Sequence, residues 1–241
     1  MGGAPHWGPQ YDSLEKAPVG VRIGCVRCRL GACLERLSQS GDVDHPRQPP
    51  ALQLTPPDFV EVLDFWFGAP DSRERGRPRK SWFEKSEAFD AEIRRRFLAA
   101  WERAARGELG PWQTTPLASL ALVVTLDQLP RNMFRGTARA FASDSLALAA
   151  ARSLIAAGFD RLLSPVERLF AYLPFAHAED LAAQRRSLAL FDGLDPEDVR
   201  SAKRHYEIIA RFGRFPHRNA VLGRRSTPEE TEFLKQPGSS F

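Results

Sequence analysis

The sequence predicts an all-α fold between residues 55 and 236, and three observations support this prediction. Apolar residues recur at three-and-four spacing through the long segments, as on the buried face of an amphipathic helix. Asp195-Pro196 and Thr227-Pro228 each combine a helix N-cap residue with proline at the first helical position. Neither an alternating strand pattern nor an Asn-Gly hairpin turn occurs in this part of the sequence.

The expected helices follow one another from the segment Thr55-Pro-Pro-Asp58. This segment joins an N-cap residue, a proline and an acid three residues later, and it predicts a helix over Phe59 to Phe67 that Gly68 ends. Leu117 to Leu129 is apolar almost all round, so we expect a central, buried helix. Pro174 is expected to break the helix before it. The other helices are expected over 87–106, 138–157, 165–173, 179–191, 196–212 and 227–234.

Residues 1–54 differ from the rest, because they are rich in Gly, Pro and Ser and show no sustained period. Such a segment buries too little apolar surface to offset its ordering entropy, so it is expected to be a disordered or non-native extension. A short disordered tail is expected over 237–241. The extension holds every cysteine of the chain: Cys25, Cys28 and Cys33. A zinc site would need a fourth ligand, with only His6 and His45 nearby, so neither metal nor cofactor is expected.

Composition describes an ordinary globular protein of 241 residues with a net charge of +4. Arg greatly outnumbers Lys, which favours a GC-rich coding sequence over nucleic-acid binding. The longest apolar run is too short to span a bilayer, and the N-terminus lacks a signal pattern, so a cytoplasmic protein without a membrane partner is expected. Phosphate-binding glycine loops, the zinc-protease motif and the serine-hydrolase elbow are missing. The helical part has no cysteine, which excludes a thiol nucleophile there.

The first candidate region is the polar end of the central helix. Asp127 follows an apolar run, and a buried carboxylate must be paired or protonated. Arg131 and Arg135 follow one and two turns later if the helix continues past Pro130 or restarts there, and either arginine could reach Asp127. Two interpretations stay open. Asp127 forms a structural lock at a helix corner, or it orients an arginine that, with Gln128 nearby, binds a ligand.

The second candidate region follows Pro174 and contains His177, Glu179 and Asp180. Acids at the start of a helix suit its dipole, so capping is the simpler interpretation of Glu179 and Asp180. A histidine just outside a helix, after an aromatic–proline turn, is a candidate acid–base group. A structural, hydrogen-bonded histidine is the alternative.

The third candidate region runs from His205 to Arg224 and sets arginines and histidines among aromatic residues. His205 shares a helix face with Ile208 and Phe212, so it is expected to point inward. Arginine offers a rigid donor fork and stacks on rings, and this mixture therefore suits a planar, anionic partner.

A loop follows this helix after Gly213 and is expected to be held extended by Pro216. Loops on a rigid scaffold are preferred places for binding groups. The candidate binding residues here are Arg214, His217, Arg218 and Asn219, with a local turn or cap as the alternative for Asn219. Glu207 and Arg211 are spaced as a surface pair, and the segment around Arg224 is expected to be solvated.

Four ordered motifs resemble a bacterial family: Val62–Gly68, Leu126–Gly136, Tyr172–Asp180 and His205–Gly223. The family is known as domain of unknown function 924, within the tetratricopeptide-like helical superfamily, and the resemblance covers about residues 56–236. It implies an all-helical, tetratricopeptide-like array of antiparallel helix pairs, without an established activity or catalytic residue. The family usually has a serine at the position of Ala178, so that hydroxyl is dispensable here or the function is weakened.

The favoured hypothesis is a pocket for a small anionic metabolite, formed where the three regions meet. His177 and His205 are the candidate catalytic residues, because imidazole titrates near neutrality. The candidate ligand-binding residues are Asp127, Gln128, Arg131, Arg135, Glu179, Arg211, Arg214, His217, Arg218 and Asn219. No reaction follows from these patterns, so whether the protein is an enzyme stays open.

The alternative function is a tetratricopeptide-like scaffold that binds a protein partner along a groove between successive helices. RNA binding through the arginine-rich C-terminal half ranks third. The modest net charge and the interspersed acids argue against a nucleic-acid partner.

Overall fold

Eight α-helices and no strand are present in the parts of the chain that the computed structural model describes, residues 58–82 and 84–240. The all-α prediction is confirmed. The helices are α1 (Phe59–Phe67), α2 (Glu87–Ala105), α3 (Pro116–Met133), α4 (Asp144–Ala156), α5 (Pro165–His177), α6 (Leu181–Phe191), α7 (Pro196–Phe212) and α8 (Pro228–Phe233).

Side-chain caps explain where several helices begin. Asp58 accepts a hydrogen bond of 2.9 Å from the Glu61 amide and starts α1. Asp195 caps α7, and Thr227 starts α8 with a reciprocal capping box, as the two proline-containing signals predict. Thr55 lies outside the described residues. Gly68 ends α1 with a φ of 90°, a conformation that favours glycine.

Helix α3 is the central element, and it packs against α1, α2, α4 and α5. Its residues are buried almost all round, as predicted for residues 117–129. The helix continues through Pro130 to Met133. Proline has no amide hydrogen, so the Leu126 carbonyl four residues earlier loses its helical partner. The Ser143 hydroxyl donates to that carbonyl at 2.6 Å and accepts from the Trp101 indole at 2.9 Å, which compensates for the loss.

The expected helix break at Pro174 is wrong, because α5 continues to His177. Pro174 removes one backbone hydrogen bond, while Tyr172 and Phe175 on either side of it are buried in the same core. That burial keeps both halves of the helix against their neighbours. His177 therefore sits in the last turn of α5 rather than at the start of α6.

Two other boundaries also differ from the expected ones. The segment expected as one helix over 138–157 divides into a 3-10 turn, Ala138–Phe141, and α4. Helix α6 begins at Leu181, with Asp180 as its cap, which leaves Glu179 outside the helix. Both differences move a polar residue to a helix end, where its side chain can reach another element.

The odd-numbered helices pack in series, α1 on α3, α3 on α5 and α5 on α7, with α2, α4 and α6 beside them. The tetratricopeptide-like arrangement stays a prediction, as do the boundaries 1–54, 55–236 and 237–241. Among residues 58–82 and 84–240, no helix combines the length and the apolar character needed to cross a bilayer.

Candidate functional site

Seven side chains from α3, α4, α5, α7 and the loop after α7 form a closed series of contacts. We call this set the contact ring. Its members, in order around the ring, are Asp127, His177, His205, Phe215, Arg218, Asp144 and Arg131. The ring joins residues from all three candidate regions of the sequence.

Asp127 and His177 form the best-defined pair of the ring. His177 Nδ1 lies 2.9 Å from both carboxylate oxygens of Asp127, whose side chain is 1% exposed. Gln128 Nε2 also donates to this carboxylate, and Arg131 Nη1 lies 3.3 Å from Oδ1. Burial opposes ionisation, but the nearby charges and hydrogen bonds outweigh it and hold the pKa of Asp127 below its usual value. Asp127 is therefore ionised at neutral pH.

His177 is neutral in this environment. Burial lowers the pKa of His177, and the charge of Arg131 lowers it further, against an opposing effect of Asp127. With Nδ1–H donating to the carboxylate, Nε2 carries the lone pair. The side chain is 14% exposed, so it is not sealed from solvent. Gln184 Nε2 fixes the flanking backbone by donating to the carbonyls of Ala176 at 2.6 Å and Ala178 at 2.9 Å.

His205 is a second neutral imidazole, with its ring centroid 6.1 Å from that of His177. The residue is 6% exposed, which confirms that it points inward. Its Nδ1–H donates to the Ser201 carbonyl at 2.8 Å. Burial lowers the pKa of His205 to about 3, helped by the neighbouring His177.

Arg218 and Asp144 close the other side of the ring. Arg218 Nη1 lies 3.2 Å from Asp144, and Arg131 lies 2.9 Å from the same carboxylate. The ring centroids of Phe141 and Phe215 lie 4.6 and 4.5 Å from the central carbon of the Arg218 guanidinium. Burial, and then the charge of Arg131, lower the pKa of Arg218 to about 10. The two arginines balance the two aspartates.

Two predicted site arginines lie elsewhere. Arg135 forms an ion pair with Asp90 at 2.7 Å, and its side chain is 39% exposed. Arg211 pairs with Glu229 rather than with Glu207, so the expected i,i+4 pair is wrong. The structure does not bring either arginine to the contact ring.

The remaining predicted residues form a polar network beside the ring. Arg224 donates to Glu179 at 2.6 and 2.9 Å, so the expectation that Arg224 is solvated is wrong. Glu179 also accepts from the Phe215 amide at 2.7 Å, which ties the loop to the end of α5. Asn219 is 1% exposed and bonds to Ser226, Glu230 and Arg224.

The loop after α7 contains a 3-10 turn, Pro216–Arg218, rather than a fully extended segment. The residue before the proline, Phe215, is extended as expected. His217 in this turn lies 5.6 Å from the Phe215 ring, and burial lowers the pKa of His217 to about 4. The turn is what places the Arg218 guanidinium against the Phe141 and Phe215 rings.

Asp144 and Phe141 belong to the site but were not predicted from the sequence. Both lie in the segment expected as one Ala/Leu-rich helix, where a single acid suggests only a favourable helix start. The only acid in an Ala/Leu-rich segment, three residues after an aromatic ring, is the signal that could have drawn attention to them.

Glu230 gives the network a specific dependence on pH. It accepts two hydrogen bonds from Arg214, and the side-chain bonds hold the pKa of Glu230 at about 2, below the ordinary 4.5. A lowered folded-state pKa stabilises the protein above the unfolded pKa, and this contribution is lost as the pH falls from about 4.5 through about 2. Glu230→Gln should therefore show a shallower loss of stability across that interval in urea unfolding.

The matched control for this change is Glu232→Gln. Glu232 pairs with Lys235 on the surface, where both side chains are about two-thirds exposed, at 70% and 67%. We expect its acid profile to follow the wild type. Equal slopes for wild type and Glu230→Gln would contradict the assigned role of Glu230.

No group of three or more His, Cys, Asp or Glu side chains is placed to hold a metal ion among residues 58–82 and 84–240. The three cysteines and the histidines weighed as zinc ligands lie outside the described residues. The sequence prediction on a cofactor is untested.

Comparison with known proteins gives the family of the chain. The sequence pattern of DUF924, described as bacterial proteins of unknown function, matches residues 62–238. A solved structure from Agrobacterium tumefaciens, of a protein of unknown function, is 44% identical and covers 73% of this chain and 96% of its own, with a TM-score of 0.67. No curated protein shows significant similarity. The chain therefore belongs to the DUF924 family of bacterial proteins.

Proposed function

We propose that the contact ring binds a small anionic molecule and that His177 exchanges a proton with it. The observation that carries this proposal is the buried Asp127–His177 pair, with Nδ1 2.9 Å from the carboxylate. A carboxylate on Nδ1 fixes the tautomer and orientation of an imidazole, and leaves Nε2 as the atom that accepts a proton. The proposal names a proton acceptor and no nucleophile, so the reaction that it covers is proton transfer between the ligand and His177.

The purely structural alternative accounts for only part of the ring. A structural ion-pair cluster needs only Asp127, Arg131 and Asp144, since Arg131 already lies 3.3 Å from Asp127 and 2.9 Å from Asp144. It does not need two imidazoles side by side, because neither histidine contributes to the charge balance. Burying uncharged polar rings costs more than burying apolar side chains of similar size. Departures of this kind are expected at functional sites.

The electrostatics of the ring favour a negatively charged ligand. The charge of Arg218 lowers the pKa of His205, whereas at His177 the lowering by Arg131 is opposed by Asp127 and Asp144. The potential of the surrounding charges is therefore positive at His205, whereas at His177 charges of opposite sign offset one another. The positive potential that disfavours protonation of His205 attracts an anion placed beside it.

The test is thermal unfolding with acetate, succinate and inorganic phosphate at constant ionic strength. An anion present at about 100 times its Kd should stabilise the wild type by about 2.7 kcal/mol, which is a rise in Tm of roughly 5–10 °C. His177→Gln removes the proton-exchanging group from the site and should reduce this rise by at least about half.

Arg135→Gln is the control, because Arg135 pairs with Asp90 away from the ring. It should keep the full rise in Tm. The proposal fails if none of the three anions stabilises the wild type, or if His177→Gln responds like the control. The scaffold alternative stays a prediction, and no contact in the described part of the chain favours it over the ring.

A further inference from the structure

Two aromatic rings and one carboxylate contact the Arg218 guanidinium. The ring centroids of Phe141 and Phe215 lie 4.6 and 4.5 Å from the central carbon of the guanidinium, so both rings pack against this group. Asp144 accepts from Nη1 at 3.2 Å. These contacts fix the plane of the group and leave one hydrogen-bonding edge, made by Nε and Nη2, without an assigned role.

The Nε–H of Arg218 has no acceptor in the described part of the chain. The side chain is 7% exposed, and water does not reach this nitrogen. A buried donor without an acceptor costs about 1–3 kcal/mol, more when it is charged. Such a cost is expected where a ligand supplies the missing acceptor.

The second arginine of the ring is used differently. Arg131 Nη1 contacts both Asp127 and Asp144, and Nη2 donates to Asp144 at 3.1 Å. Its terminal nitrogens therefore already serve carboxylates of the protein itself. Of the two arginines, Arg218 is the one with an unused buried donor.

We propose that the Nε–Nη2 edge of Arg218 binds a carboxylate group of the ligand side-on. This inference rests on the proposed anion site and names the ligand class as a carboxylic acid. Two parallel N–H···O bonds to one planar carboxylate are the arrangement that this edge of a guanidinium offers. Because Nε is buried, a neighbouring side chain must shift to admit the ligand.

Two features favour a carboxylate over a phosphate. A side-on carboxylate lies in the plane of the guanidinium, whereas a tetrahedral phosphate also projects oxygens out of that plane, and the two apolar rings packed on the group offer those oxygens no hydrogen bond. Asp144 already occupies Nη1, and a phosphate dianion would bring about two negative charges close to that carboxylate. A monocarboxylate brings one.

The experiment is calorimetric titration of the wild type, Arg218→Lys and Arg135→Lys with sodium acetate and with inorganic phosphate. Lysine keeps the charge but lacks the fork, so Arg218→Lys should weaken acetate binding by about tenfold or more. Arg135→Lys makes the same chemical change at the Asp90 pair and should leave the affinity unchanged. The wild type should bind acetate more tightly than phosphate.

The inference is overturned if phosphate binds more tightly than acetate, or if Arg218→Lys binds acetate like the wild type. In either case, an anion that still binds to the wild type would continue to support the broader proposal of an anion site. Absence of binding of both anions to the wild type would instead remove the anion site and this inference together.

A second measurement does not require a variant that folds. In nitrogen–proton NMR spectra of the wild type, the Nε–H signal of Arg218 should move downfield as acetate is added, because Nε–H gains an acceptor. Phosphate at the same ionic strength should move it less. An Arg218 signal that stays unchanged at saturating acetate would overturn side-on binding.

Discussion

Asp127→Asn is expected to lower the free energy of unfolding by about 3–5 kcal/mol, although the side chain keeps nearly the same shape. Asp127 and Asp144 together balance Arg131 and Arg218, and all four side chains are at most 19% exposed. Removing one negative charge leaves a buried positive charge uncompensated. Urea unfolding at neutral pH, monitored by tryptophan fluorescence, measures the change.

Glu229→Gln is the matched control, because it removes a carboxylate from the exposed Arg211 pair. Its effect should stay within about 0.5 kcal/mol. The double variant Asp127→Asn with Arg131→Met restores the balance, with one aspartate and one arginine left in the ring. The double variant should lose less free energy of unfolding than the two single variants lose together. Additive losses would show that the charge count is not what stabilises the ring.

Trp66→Ala is expected to lower the free energy of unfolding by about 3–5 kcal/mol, the second of the two largest effects. Trp66 is fully buried, at 0% exposure, and its ring packs on Trp82, Phe89 and Phe170 with centroids 5.7–6.3 Å away. Alanine leaves a cavity among these rings that the surrounding helices cannot fill. Chemical denaturation gives the loss directly.

Trp66→Phe separates the volume of this ring from its polar atom. The indole N–H of Trp66 is buried and has no acceptor in the described part of the chain. Phenylalanine removes that unsatisfied donor while it keeps an aromatic ring, so it should cost less than about 2 kcal/mol. A loss as large as that of Trp66→Ala would mean that the N–H itself is stabilising.

Local geometry made part of the site predictable. Asp127 and Arg131 lie four residues apart on one helix face, so their contact needs only that the helix continue. It does continue, because Ser143 supplies the hydrogen bond that Pro130 removes. The inward direction of His205 follows from the apolar residues on its face in the same way.

The rest of the site could not be predicted, because its contacts join distant parts of the chain. Asp127 and His177 are 50 residues apart, and Asp144 and Arg218 are 74 apart. Arg131 lies in the last turn of α3 and Arg135 just after its end, yet one pairs with Asp144 and the other with Asp90. Composition and spacing do not distinguish them.

The sequence by itself determined the all-helical fold, the caps at Asp180, Asp195 and Thr227, and the three regions that contribute to the ring. Those properties depend on backbone hydrogen bonds and apolar periodicity, which act within a few residues. Only the tertiary structure decided which charges meet, that Asp144 bridges Arg131 and Arg218, and that Arg224 is tied to Glu179. An ion pair between helices depends on how their faces pack, and that packing is set by the buried core as a whole.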